Sequence, residues 1–114
     1  MIVEKRRIEG QHTLLRVEGV IKLGESAQFL ARTLERVLAE DQGHVFVDLE
    51  RINYNDSTGI GELVGYLGRF QERQRRLVLL HPSRRIVKLL EVAQLAALFP
   101  TYDGLEAALA SELV

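Results

Sequence analysis

Apolar and polar positions mark out nine segments along the chain. Residues 2–9 and 12–20 read as two strands, the second mixing Leu14, Leu15, Val17 and Val20 with Thr13, Arg16 and Glu18. Glu9-Gly10-Gln11 between them suits a hairpin turn, with Gly10 free to take positive φ, so the pair is expected antiparallel and half buried. Residues 25–41 place Ala27, Leu30, Leu34 and Val37/Leu38 on one helical stripe, and Gln42-Gly43 stops the helix. His44-Val45-Phe46-Val47-Asp48-Leu49-Glu50 is a dense β-branched and apolar run, predicted to be a central strand buried on both faces and ending at Glu50.

A second helix is predicted over 57–73, with Ile60, Leu63, Val64, Leu67 and Phe70 as its core stripe. Leu77–Leu80 is the next strand, closed by Pro82; Ser83 is placed to cap a helix over 84–94 that buries Ile86, Leu89, Leu90 and Ala93. Residues 98–102 form a short strand that Pro100 confines to an edge or an end. Asp103 and Glu106 have capping-box spacing for a last helix over 104–112. The order ββαβαβαβα implies one α/β domain over 1–114. Its sheet is mixed and mostly parallel, with an antiparallel N-terminal strand, and it carries four helices.

Composition narrows the function classes. The 114 residues carry 15 Lys plus Arg against 16 Asp plus Glu, which leaves −1 and no basic excess for nucleic acid. Without cysteine there is no disulfide, thiol catalysis or thiolate metal site, and a cytoplasmic setting is the simpler expectation. No run approaches the roughly 20 apolar residues of a bilayer-spanning helix, and Met1–Arg6 lacks the apolar region of a secretory signal. His12, His44 and His81 show no metal-ligand spacing and read as strand-end or surface residues, so no metal is expected.

The informative stretch is 51–61, between the central strand and the second helix. Asn53, Asn55, Asp56, Ser57 and Thr58 crowd cap-forming side chains where one N-cap would suffice. A redundant turn explains this blandly; an exposed hydroxyl at a helix N-terminus explains it sharply. Gly61, Gly65 and Gly68 then form a stripe at i, i+4 and i+7, each costing ~1 kcal/mol of helix stability relative to Ala. Close approach by a neighbouring helix and close approach by a partner protein account for that stripe about equally well.

Enzyme motifs fail on inspection. Gly59-x-Gly61-x-x-x-Gly65 resembles a dinucleotide pattern, but the next strand ends Leu79-Leu80-His81-Pro82 with no carboxylate for a ribose. There is no P-loop, and Asn55 stands where a nucleophile elbow at Ser57 would need glycine. Nothing makes Asp48 and Asp56 an acid/base pair. The basic cluster Arg69, Arg73, Arg75, Arg76, Arg84, Arg85 and Lys88 reads as a solvated face, with an acidic partner as the alternative.

Across Val45-Phe46-Val47-Asp48-Leu49-x-x-Ile52-x-x-x-Asp56-Ser57-Thr58-Gly59-Ile60-Gly61-Glu62-Leu63-Val64 the sequence resembles the STAS domain family, in its branch of bacterial anti-sigma factor antagonists. The two N-terminal strands, the Gly24-Glu25 helix entry and the Leu77–Leu80 strand fall where that family has them, so the resemblance covers nearly the whole chain. It implies a partner-switching module and no enzyme. Such a module binds an anti-sigma factor that is also a serine kinase, and lets go once phosphorylated at the Ser of the Asp-Ser motif. A phosphatase resets it.

Carried onto this chain, the acceptor is Ser57. The partner-binding residues are Asn55, Asp56, Ser57, Thr58, Gly59, Gly61, Glu62 and Gly65, with no cofactor, nucleic acid or membrane insertion implied. Two departures stand out: Asn55 where the family is usually apolar, and Gln74-Arg75-Arg76 in a turn where it often has glycines. The alternatives are a STAS scaffold or transport-complex subunit that is never phosphorylated and, from another class, a small nucleotide-binding protein using the 53–61 loop.

Overall fold

A computed structural model describes residues 2–8, 11–21, 25–55, 61, 65–66, 68–97 and 99–110. The strands are β1 (Ile2–Ile8), β2 (His12–Ile21), β3 (Val45–Asn55), β4 (Leu77–Leu80) and β5 (Thr101–Tyr102). The helices are α1 (Glu25–Glu40), α2 (described at 61, 65–66 and 68–71), α3 (Arg84–Val92) and α4 (Leu105–Ala110). One five-stranded sheet runs β1-β2-β3-β4-β5. β1 and β2 are antiparallel, in register from Ile2↔Glu18 to Ile8↔His12, and every other pair is parallel. The predicted mixed sheet and element order are both found.

Each face of the sheet has its own core. Leu15, Val17, Val45, Val47, Leu49, Leu77 and Leu79 pack under α1, α2 and α3, against Leu30, Leu34, Val37, Leu38, Phe70, Ile86 and Leu90. The opposite face buries Leu14, Phe46, Val78 and Leu80 beneath Ala108 of the short α4. Period-2 alternation explains the split, since neighbouring residues of one strand point to opposite faces. Val45–Val47 of β3 and all of β4 are apolar on both faces because both faces are covered where they run. α4 is only six residues long, and Leu105 and Leu109 beside Ala108 pack against this second core.

Helix ends follow local chemistry. Ser83 Oγ accepts the Ile86 N–H at 3.2 Å and caps α3 as predicted. Ala93, expected in the buried stripe, is instead the exposed C-cap residue of α3. α2 and α3 end alike, with Gln74 at φ 59° and Gln94 at φ 61° in the left-handed region. Beyond each, an N–H reaches five residues back, Arg75 to Phe70 at 2.9 Å and Leu95 to Leu90 at 2.7 Å. Gln74 therefore adopts the left-handed conformation that glycine takes most easily.

Two further expectations are corrected. β3 does not end at Glu50 but runs to Asn55, so Asn53 and Asn55 belong to a strand rather than to a helix cap. Two bulges make this possible. Between Arg16↔Asp48 and Glu18↔Arg51, and again between Gly19↔Ile52 and Val20↔Tyr54, β3 spends one residue more than β2. Gly19, at φ 119°, lies at the second irregularity.

The basic cluster is also not one solvated face. Arg75 is buried, its guanidinium 4.7 Å from the Phe70 ring centroid, and donates to Gly43 O at 2.7 Å and Leu38 O at 3.1 Å. Arg73 donates to the same Leu38 carbonyl at 2.8 Å. Arg69 forms a bidentate pair with Glu35 of α1, joined by the Tyr66 hydroxyl at 3.1 Å. These arginines fasten α2 and the turn after it to α1.

Candidate functional site

β3 pairs with β4 only as far as Asp48↔Leu80, yet continues beside β2 to Ile21↔Asn55. From Asp48 to Asn55 it outruns β4 by seven residues, about 20 Å of extended chain. The chain thus leaves the carboxyl end of the central strand well past its neighbour, the place where open α/β sheets carry their sites. Of the predicted site, Asn55 is the last residue of β3. Asp56, Ser57, Thr58, Gly59 and Glu62 lie outside the described residues.

Gly61 and Gly65 are exposed on α2, with Gly68 one turn further on. A Cβ built on any of the three meets nothing within 4 Å among the described residues. Gly65 and Gly68 lie 140–200° round the helix from the buried Phe70, taking about 100° per residue. The neighbouring-helix explanation of the stripe therefore fails among the described residues. The glycines face outward and follow directly in sequence on the Asp56-Ser57 segment.

Tyr66 and Arg69 beside that stripe belong to the α1 clamp. The Arg69 hydrogen bonds, opposed by slight desolvation and helped by Tyr66, hold the Glu35 carboxyl below its ordinary range. The same pairing raises Arg69. The flank of the glycine face is thus a fixed, nearly neutral ion pair. On the other side of the sheet Asp48 and Glu50 meet His81, although His81 is remote from both in sequence. The spacing of the histidines had concealed this, since His81 joins its partners across strands.

Comparison with known proteins decides the family. Residues 4–100 match the family described as Mlab, STAS domain. The chain belongs to the STAS domain family. The anti-sigma-B factor antagonist of Staphylococcus aureus (strain NCTC 8325 / PS 47) is 33% identical over 87 residues, covering 73% of this chain and 81% of that one. The anti-sigma factor antagonist SpoIIAA in its unphosphorylated form superposes with a TM-score of 0.74 at 15% identity, covering 95% of this chain and 94% of that one. The Bacillus cell fate determinant SpoIIAA in its phosphorylated form gives 0.75 at 16%, covering 95% and 96%. By homology and fold the chain stands with the anti-sigma factor antagonists. No helix among the described residues is long and apolar enough to cross a membrane.

Proposed function

We propose that this protein is a cytoplasmic partner-switching regulator that binds an anti-sigma factor with serine kinase activity and releases it when Ser57 is phosphorylated. The observation that carries the reading is the relationship to the staphylococcal antagonist, which spans most of both chains. The likeness to SpoIIAA, whose phosphorylated and unphosphorylated forms match this fold equally well, supports a switch that leaves the fold intact. The outward glycine face of α2 supports a docking surface formed by Gly61, Gly65 and the 55–59 segment. The protein acts by binding and catalyses nothing itself; a phosphatase returns it to the binding state.

The switch is electrostatic. Phosphate adds about −1.5 to −2 charges at Ser57, next to Asp56. At the helix start that the sequence predicts for Ser57, the dipole would offset about 0.3–1 kcal/mol of that, so folding tolerates the change. A partner surface fitted to a neutral hydroxyl instead has to desolvate a doubly anionic group. A loss of about 3–4 kcal/mol there lowers affinity several hundredfold.

Immobilised wild type, Ser57→Ala and Ser57→Asp, each exposed to native lysate, test this. Wild type and Ser57→Ala should retain a protein with serine kinase activity, and Ser57→Asp should release it while keeping the wild-type circular dichroism spectrum. That kinase with ATP should add one phosphate to wild type and none to Ser57→Ala by intact mass. Equal retention by Ser57→Asp sinks the mechanism. A second reading is a scaffold or transport-complex subunit of the same family that is never phosphorylated. Its signature is a stable partner without kinase activity.

A further inference from the structure

We propose that Asp48, Glu50 and His81 form a binding site for one divalent transition-metal ion, with Zn²⁺ the best fit, on the face of the sheet beside α4. Asp48 and Glu50 come from β3, and His81 follows Leu80, the β4 residue paired with Asp48. One ligand atom from each of the three lies within 4.8 Å of the other two. His81 Nε2 is 3.6 Å from Glu50 Oε2. The His81 main chain is fixed there, since its N–H donates to Tyr102 O at 2.8 Å and φ is 52°.

Asp48 is prepared in the same sense. Its Oδ1 accepts the Glu50 N–H at 3.0 Å, which orients the carboxylate. Its Oδ2 has Arg16 Nε at 3.8 Å, an ion pair longer than a hydrogen bond and open to displacement. The first bulge of β3 lies between Asp48 and Arg51, and it brings Glu50 and Arg51 to the same concavity.

The surroundings suit a cation. The donors line a concavity of about 230 Å³ whose wall includes Leu14 and Leu105. Glu4, Glu18, Asp48 and Glu50 line it together with Arg16 and Arg51, which pair loosely with Asp48 and Glu18 at 3.8 and 3.9 Å. One imidazole nitrogen with two carboxylate oxygens selects borderline ions such as Zn²⁺, whereas Mg²⁺ and Ca²⁺ prefer oxygen alone. Zn–N and Zn–O bonds of about 2.0–2.2 Å need the donors to close by roughly 1 Å, within reach of the exposed Glu50 side chain. Three protein ligands leave the fourth position of a tetrahedral ion to water. The site uses no residue of the Ser57 switch and stands or falls independently of it.

Calorimetric titration of the full chain with ZnCl₂ in a non-chelating buffer, with Co²⁺ absorption as a second readout, tests the site. One ion per chain is expected, with a tetrahedral Co²⁺ spectrum and no competition from excess Mg²⁺. His81→Ala and Glu50→Gln should each weaken Zn²⁺ binding by at least about tenfold while the circular dichroism spectrum stays that of the wild type. Glu50 is exposed, so its variant keeps the test valid if His81→Ala misfolds. No Zn²⁺ binding, or affinity within twofold of wild type in Glu50→Gln or in a folded His81→Ala, overturns the proposal.

Discussion

Arg75 Nη1 donates to the Leu38 carbonyl at 3.1 Å, so a side chain from beyond α2 closes the C-terminus of α1. The last turn of α1 has no basic residue of its own. The guanidinium meets the negative end of the helix dipole and satisfies carbonyls that the helix leaves open. Burial draws the Arg75 guanidinium down from its ordinary value, partly opposed by Asp41.

Arg75→Met should keep the stem packed on Phe70 while removing every donor. We expect a loss of about 2–3 kcal/mol, because charge-assisted hydrogen bonds go and Gly43 O is left short of a partner. Urea unfolding measures it. Arg75→Lys should recover less than half, since one ammonium cannot reproduce the planar fork. A change under about 0.5 kcal/mol in Arg75→Met would remove Arg75 from the account of α1.

Asp41 ties the end of α1 to the edge strand. Its buried carboxylate pairs with Lys5 at 2.7 Å and Arg7 at 2.8 Å, both on β1. Desolvation pushes the Asp41 carboxyl up, but the two cations together outweigh it and hold the group below its ordinary value. A depressed folded value means that the pair stabilises the protein fully above the unfolded carboxylate pKa of about 3.9. That contribution is lost as pH falls through the lower folded value. Asp41→Asn should therefore cost about 1–2 kcal/mol at neutral pH, less than a fully buried pair because both cations stay partly exposed. The gap between variant and wild type should narrow below about pH 4, and a gap unchanged down to pH 2 by urea unfolding would contradict the pairing.

Gly65 separates interface from core. Its missing Cβ would meet nothing within 4 Å among the described residues, so Gly65→Ala should raise stability by about 0.5–1 kcal/mol through helix propensity alone. Gly65→Leu should melt within a few degrees of wild type yet bind the captured partner more weakly. A melting temperature that drops sharply in both variants would mean that the face is covered.

Gly43 is the opposite case. A Cβ there would stand 2.5 Å from Gln11 O and 2.6 Å from His12 Nδ1, while the Gly43 N–H donates to the same Gln11 carbonyl at 3.1 Å. Gly43→Ala should destabilise by about 1–3 kcal/mol, because backbone rather than a flexible side chain has to move. Thermal unfolding reads the effect directly.

The amino-acid sequence by itself determined the elements whose signal is local. Val45–Val47 and Leu77–Leu80 are apolar on both faces, Ile86 and Leu90 recur at helical spacing, and Ser83 stands three residues before the N–H it caps. The Asp56-Ser57 segment was legible as a motif for the same reason, being contiguous. Tertiary structure decided what depends on residues remote in the chain. Asn53 and Asn55 read as cap formers, yet β2 offers its edge up to Ile21 and draws them into β3, because ladder hydrogen bonds outweigh a local turn preference. Arg75 read as solvated, yet the open carbonyls of α1 and Gly43 lie where its fork can reach. Asp48 and His81 stand 33 positions apart and meet only because β3 and β4 run side by side. Neighbours along the chain can be read from spacing; neighbours across a sheet exist only once register is set.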